Sequence, residues 1–241
     1  MEEKSLVDHL RDLRSVVIYS LIYIVIGMCI SWTYREELFD IIRKPISPFL
    51  KSSGGGLVYT NIMESFMAYV KVAFVGGVII SCPFWMHQIW RFVSPALYKE
   101  EKKSALLFIF FGTVLFIGGI CFAYFAVYPF MFEFLFSFGS GKDQAMIKIS
   151  EYLGFFVQTT LLFGVAFEMP LIITILGILG FVSAKFLRQN RRYAILFISI
   201  ISAVLTPPDP LSMMMMMIPL CSLFEISIFS VQYLERKESK I

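Results

Sequence analysis

Glu168 is the residue that most needs a chemical reason. It lies inside a long apolar run, residues 152–180. A charge at the centre of a membrane helix costs about 2.5–3.5 kcal/mol on the insertion scale, so a carboxylate there marks a functional position by default. Thr160, Gly164 and Glu168 are spaced four apart and share one helix face. That face is small and polar, suited to a groove or a partner helix. Pro170 follows, and its missing N–H frees the carbonyl of Ala166. A second chemistry is suggested by acids set among bases. The segment His9-Leu10-Arg11-Asp12-Leu13-Arg14 carries Asp12, and residues 94–103 carry Glu100 and Glu101 among Lys99, Lys102 and Lys103. A carboxylate accepts an arginine fork through two parallel hydrogen bonds, each worth about 1.5–3 kcal/mol when charged. A basic face repels a cationic ligand unless specific carboxylates meet it. Glu225 lies near the end of the last apolar run and is placed to snorkel. Glu64 and Lys71, seven apart, are read as a structural ion pair or a snorkelling lysine.

Other chemistries are excluded. Cys29, Cys82, Cys121 and Cys221 all fall in apolar runs, without a CxxC or metal-ligand spacing. There are two histidines and no HExxH, and no Ser/His or paired-Asp arrangement crosses the apolar runs. No enzyme activity, cofactor, metal or nucleic-acid partner is expected.

The elements that must hold these residues are membrane helices. The chain has 241 residues, 58% hydrophobic and 16% charged, with mean hydropathy +0.75. Soluble domains run about 45–50% apolar and about 25% charged. Disorder, a coiled coil, a disulfide-stapled module and an ordinary soluble enzyme are all excluded. A bilayer core about 30 Å thick needs about 20 helical residues. Six spans are predicted in a single membrane domain covering 1–241: residues 15–34, 63–90, 104–127, 152–180, 193–205 and 211–232. The leader holds Glu2, Glu3, Asp8 and Asp12, and no small-residue cleavage site follows the first run, so no cleavable signal peptide is expected. Of the 21 Lys and Arg, 14 fall on the side of residues 1–14, 91–103, 181–192 and 233–241, and 6 on the other side. The positive-inside rule then puts both termini in the cytoplasm.

The last hairpin is short. The fifth span has 13 residues, about 20 Å of helix, and stops at Thr206-Pro207-Pro208-Asp209-Pro210. The uncharged stretch of the sixth is residues 211–224. Such spans thin the bilayer or associate with partners. Residues 35–62 read as an amphipathic interfacial helix broken by Pro45 and Pro48, then a flexible turn at Gly54-Gly55-Gly56. Residues 130–150 read as a second cap-like segment turning at Gly139-Ser140-Gly141.

These motifs, in this order, resemble the TatC family of twin-arginine translocase subunits. "HLRDLR" at 9–14 is similar to the family's HLxELR signature, and "QIWRFVSPALYKEEKK" at 88–103 to its first cytoplasmic loop. "FAYFAVYPF" at 122–130, "FGVAFEMPL" at 163–171, "LTPPDPLS" at 205–212 and "LFEI" at 223–226 also look like family signatures. The resemblance covers nearly the whole chain. It implies an all-α integral membrane protein with six transmembrane helices, a TatC-like cupped bundle with short last two spans. It implies a receptor at the bacterial inner membrane, or in an organelle membrane, for folded precursors whose signal peptides carry Arg-Arg. TatA-type and TatB-type single-span partners, self-association, contact with membrane lipids and a drive from the proton-motive force are implied too. Carried over, Asp12 and Glu101 face the twin arginines, while Arg14, Phe92, Pro95, Leu97 and Tyr98 shape the site. Pro45, Glu168 and Asp209 match positions the family treats as functional, and the motif around Glu225 matches the last span.

Two departures stand out. The family usually has Glu where this chain has Asp12, one methylene shorter, so the contact could shift to Glu101 or Glu100. The family often has a polar residue soon after TPPD, where this chain has five methionines at 213–217. A softer docking surface follows from methionine's adaptability. The competing reading is a proton-coupled small-solute transporter with Glu168 as the titrating group. It lacks an internal repeat and a second well-buried charge.

Overall fold

A computed structural model describes residues 6–94, 105–138, 144–205 and 210–238. In chain order the elements are α1 (Leu6–Thr33), α2 (Arg35–Arg43), α3 (Ser47–Ser52), β1 (Gly56–Val58), α4 (Ile62–Ile80) and α5 (Cys82–Val93). Then come α6 (Ala105–Phe122), a π-helical turn (Ala123–Val127), α7 (Tyr128–Ser137), β2 (Met146–Lys148), α8 (Ile149–Phe167) and α9 (Met169–Ile178). The chain continues as α10 (Ala184–Gln189), α11 (Arg191–Leu205) and α12 (Pro210–Glu238). Five stretches among the described residues are long and apolar enough to cross a bilayer: Leu10–Thr33, Ile62–Ile80, Ala105–Ser137, Ile149–Ile178 and Met213–Arg236. The fifth span in chain order, α11, has 15 residues, about 22 Å, short as its sequence requires.

Prolines set where these helices break. Residues 63–90 read as one span, but the helix ends at Ile80 and restarts at Cys82, with Pro83 in the first turn of α5. Pro83 cannot donate to Ile79, and its ring crowds that carbonyl. The loosened ladder finds other donors: the Trp85 indole N–H reaches the Val78 carbonyl at 3.2 Å. Pro170 does the same to the fourth span, which breaks at Glu168 between α8 and α9. In the third span the helix runs on past residue 127 through the π turn, where the Tyr128 N–H donates to the Ala123 carbonyl. The wide turn carries the chain round the missing donor of Pro129. Pro219 leaves α12 unbroken, so that helix extends past Glu225 for 29 residues in all. The shortness of the last span therefore belongs to its uncharged stretch, not to its helix.

Contacts divide the chain into two units. One comprises Met1–Ile41 and Ser65–Val114. In it α1 crosses α4 at glycines. A Cβ on Gly77 would stand 2.6 Å from the Met28 backbone nitrogen, and one on Gly27 2.5 Å from the Gly77 carbonyl. α5 packs along α1, with Tyr23 stacked on Phe84 at 5.5 Å between centroids. Trp90 meets Phe108 of α6 at 4.9 Å. Gly77→Ala is expected to lower thermal stability by about 1–3 kcal/mol, the usual cost of overpacking. Gly118→Ala, whose Cβ would meet nothing within 4 Å, should hold or slightly raise the melting temperature of detergent-purified protein.

The second unit comprises Ile42–Glu64 and Leu115–Ile241. Its two non-spanning segments are joined. β1 pairs in parallel with β2, Leu57 opposite Ile147, and Phe49 of α3 lies against Phe132 and Phe136 of α7. The Tyr152 hydroxyl donates to the Ile42 carbonyl. The Gly54-Gly55-Gly56 segment is fitted rather than flexible. Gly54 has φ +64°, and a Cβ on Gly55 would stand 2.1 Å from the Ala145 carbonyl of the chain entering β2. Only glycine lets the two backbones come this close. Glu64 accepts from the Thr60 N–H (2.8 Å), the Thr60 hydroxyl (2.7 Å) and Ser150 (3.3 Å), so it ties the head of α4 to α8. Elsewhere α9 lies along α12, where Thr174 Oγ1 and Ser230 Oγ are 2.7 Å apart and Gly177 makes room for Val231.

Candidate functional site

The cytoplasmic candidates start on α1. Asp12 is half-buried there and Arg14 is exposed. α1 is positioned by α5, and Phe92 sits half-buried near the end of α5. Leu13, between the two charged candidates, and Phe92 line the same groove. The structure thus brings the Asp12–Arg14 segment and Phe92 to one end of the first unit. Pro95, Leu97, Tyr98 and Glu101 lie outside the described residues, as does Asp209.

Pro45 falls in the turn between α2 and α3 and is half-buried. It precedes Ile46, which is 1% exposed and lines a cavity of about 560 Å³ with Phe132, Phe136 and Tyr152. A fixed proline φ at this turn aims the chain inward at Ile46. Pro45 is therefore placed as a support of the joined segments.

Glu168 sits at the break between α8 and α9 and is 6% exposed. Among the described residues its Oε1 has no hydrogen-bond partner, while the carboxyl interacts with the backbone of Phe116. The Thr160–Gly164–Glu168 face does not line an open groove. It is filled from α6 and α7: a Cβ on Gly164 would come within 2.7 Å of the Phe116 ring, and Thr160 shares a 2.7 Å hydrogen bond with the Tyr128 hydroxyl. Tyr128 also donates to the Phe156 carbonyl at 2.8 Å. Tyr128 is wholly buried, and no charge or spacing in the sequence singles it out. The signal was Pro129, whose wide turn sets the register that carries Tyr128 inward. Tyr128→Phe keeps the ring and leaves Thr160 short of a partner; it is expected to cost about 1–2 kcal/mol, read as a lower melting temperature with unchanged helix content.

In the last hairpin, Glu225 does not stand alone. Its Oε2 is 2.6 Å from Arg191 at the head of α11. Both side chains are more than a third exposed, so this pair is worth at most about 1 kcal/mol. It orients the two helices more than it holds them. The methionine run is partly core: Met216 is 1% exposed and Met214 55%. The Met217 sulfur accepts from the Ser199 hydroxyl of α11 at 3.1 Å, a weak polar contact.

Comparison with known proteins decides what this arrangement belongs to. The family model described as Sec-independent protein translocase protein (TatC) matches residues 8–219. The chain belongs to the TatC family. Sec-independent protein translocase protein TatC of Carboxydothermus hydrogenoformans is 39% identical, over 99% of this chain and 98% of its own. The protein of the same name from Desulforapulum autotrophicum is 39% identical over 98% of this chain and 88% of its own. A crystal structure of the twin-arginine translocase receptor TatC superposes with TM-score 0.84 at 33% identity, covering 93% of this chain and 98% of that one. The TatC fold is therefore shown: an all-α, multi-pass inner-membrane protein with five long apolar helices and a short α11. The chain is a component of a protein translocase, and its relatives are named for transport rather than for an enzyme activity or for carrying small solutes.

Proposed function

We propose that this TatC-family chain is the receptor core of a twin-arginine translocase. It binds the Arg-Arg signal peptides of folded precursors on its cytoplasmic face. It gathers TatA-type and TatB-type helices, together with further copies of itself, for export driven by the proton-motive force. The observation that carries this reading is Asp12, half-buried on α1 beside Leu13 and Arg14, at the end of the unit where Phe92 closes α5. A carboxylate held on a rigid helix can take an arginine fork without losing much side-chain freedom. Glu101 is the second carboxylate of the reading. The family resemblance further assigns Pro95, Leu97 and Tyr98 to the signal-peptide site and Asp209 to partner assembly.

Site-specific photo-crosslinking tests this. A reporter at Leu13 or Ser94, beside the proposed site and leaving both carboxylates in place, should capture a precursor with an Arg-Arg signal in membranes holding the inserted protein. It should lose that capture with a matched Lys-Lys signal. Equal capture of both signals, or none from either position, overturns the assignment.

A further inference from the structure

The cavity of about 560 Å³ in the second unit opens among α3, α7, β2 and the head of α8. Its floor is apolar: Ile46, Met131 and Phe132 are buried, and Leu135, Phe136 and Phe155 half-buried. Tyr152 also lines it, with its hydroxyl committed to the Ile42 carbonyl. The other polar lining is at the mouth, where Ser52, Gln144 and Glu151 are exposed and Ser53 half-buried. Ser52 and Ser53 donate to the Phe49 and Leu50 carbonyls at 2.8 and 3.0 Å, which leaves their oxygens as acceptors. Glu151 has Lys148 at 3.6 Å, and both side chains are more than a third exposed. So exposed a pair is weak, and an incoming group of complementary charges opens it readily. The cavity also has a defined depth. The third apolar run ends at Ser137 and the fourth begins at Ile149, on the side away from the termini by the positive-inside rule. Leu135 and Phe136 lie within one turn of the first end, and Phe155 within two turns of the second. Ser52, Ser53 and Gln144 fall outside both runs. The polar mouth and apolar floor thus straddle the outer membrane–water boundary.

We propose that this cavity seats one phospholipid of the outer leaflet, of the class whose headgroup carries both a phosphate and an ammonium. Three properties select that occupant. The first is size, since the volume falls within the roughly 300–1,000 Å³ of sites that enclose a small ligand. The second is the order of polarity. A ligand here must be apolar toward the membrane and polar toward water, at the depth where lipid headgroups stand. The aromatic and aliphatic floor takes part of an acyl chain, and the mouth takes the headgroup. The third is charge. Lys148 offers its ammonium to the phosphate, while Glu151 and the two serine oxygens accept from the lipid ammonium. A headgroup with a phosphate and no ammonium leaves Glu151 facing like charge. A free anion or a small apolar solute meets one half of the site and not the other. The bound lipid braces α3 against α7 and α8 at the outer face. The inference does not depend on the receptor reading, because none of these residues belongs to the cytoplasmic site.

The test is native mass spectrometry of the full chain released from nanodiscs of equal parts phosphatidylethanolamine and phosphatidylglycerol. The first headgroup has a phosphate and an ammonium, the second a phosphate and hydroxyls. One phosphatidylethanolamine should stay bound, preferred at least fivefold over phosphatidylglycerol. Glu151→Gln should remove the preference, and Lys148→Gln should lower retention of both lipids together. Leu135→Trp fills the floor and should lower retention of either lipid at least fivefold. Phe125→Trp is the control: Phe125 is 73% exposed and does not line the cavity, so retention should not change. Gln144→Trp closes the exposed mouth, for use if Leu135→Trp does not fold. Retention equal to the wild type in a folded, obstructed variant makes the bound lipid a surface adduct and overturns the site. Equal retention of the two lipids by the wild type overturns the headgroup assignment. Protein extracted from its own membrane should carry the same phospholipid. A peptide mass in its place, lost with Leu135→Trp, gives the cavity to a partner segment and overturns the proposal.

Discussion

Replacing Asp12 and Glu101 together by alanine is expected to abolish discrimination between Arg-Arg and Lys-Lys signals while leaving membrane insertion intact. Each charge-assisted hydrogen bond from a carboxylate to a guanidinium is worth about 1.5–3 kcal/mol. Losing one such contact costs about 10- to 100-fold in affinity, and the double variant loses more. Lysine offers a point charge and no planar fork, so the proposed preference rests on paired, parallel bonds rather than on charge alone. Asp12 is a sharp probe of this geometry, because its backbone stands on a 28-residue helix packed against α5 and its side chain is short. Asp12→Glu adds a methylene and restores the family's usual length. Binding of an Arg-Arg signal should match or exceed the wild type in that variant. Export assays in a strain lacking its own homologue check both results. Undiminished export by the Asp12→Ala/Glu101→Ala chain removes the carboxylates from the mechanism.

Much of this fold was legible because membrane insertion forces it to be. Apolar runs of 20 residues have few alternatives to a spanning helix, since every backbone polar group must be satisfied within the segment. The breaks were less legible, although their cause was written in the sequence. Pro170 and Pro83 act by the same chemistry. Pro170 draws the eye because it follows Glu168, whereas Pro83 hides in an uncharged run and divides the second span all the same. Pro129 had a third outcome, a π turn, because the helix could widen there instead of stopping. No local pattern separates these outcomes; the packing around each proline does. The two strands were not readable at all. Three residues give no period, and β1 pairs with β2 across 90 residues of chain. The glycines beside β1 looked like slack and are instead a close fit to Ala145.

The candidate site divides the same way. Asp12, Arg14 and Phe92 could be placed at one end of the first unit once α1 and α5 were known to pack together. The spacing puts Thr160, Gly164 and Glu168 on one face but does not say which element covers it. Its small residues admit Phe116 closely, and the same smallness would have admitted a ligand. Helix periodicity reports which residues look in one direction, not what they look at.

Glu168 gives the clearest separation of stability from function. Its carboxyl is almost wholly shielded, and one oxygen lacks a hydrogen-bond partner. A buried polar group in that condition costs about 1–3 kcal/mol. Replacing such a group by an apolar one of similar volume removes that desolvation cost. Glu168→Met should therefore hold or raise the melting temperature of the purified protein. The same variant is expected to lower export at least tenfold, because the carboxyl is otherwise a cost without a return. Glu168→Gln keeps the shape and the polar contact to the Phe116 backbone, so it divides the question further. Export kept by Gln and lost with Met assigns Glu168 a polar contact. Export lost with both assigns it the ionisable group. A melting temperature that drops in Glu168→Met shows that the contact to Phe116 holds α8 against α6, and the residue is then structural. Unchanged stability and unchanged export in both variants remove Glu168 from the mechanism and leave the cytoplasmic carboxylates to carry it.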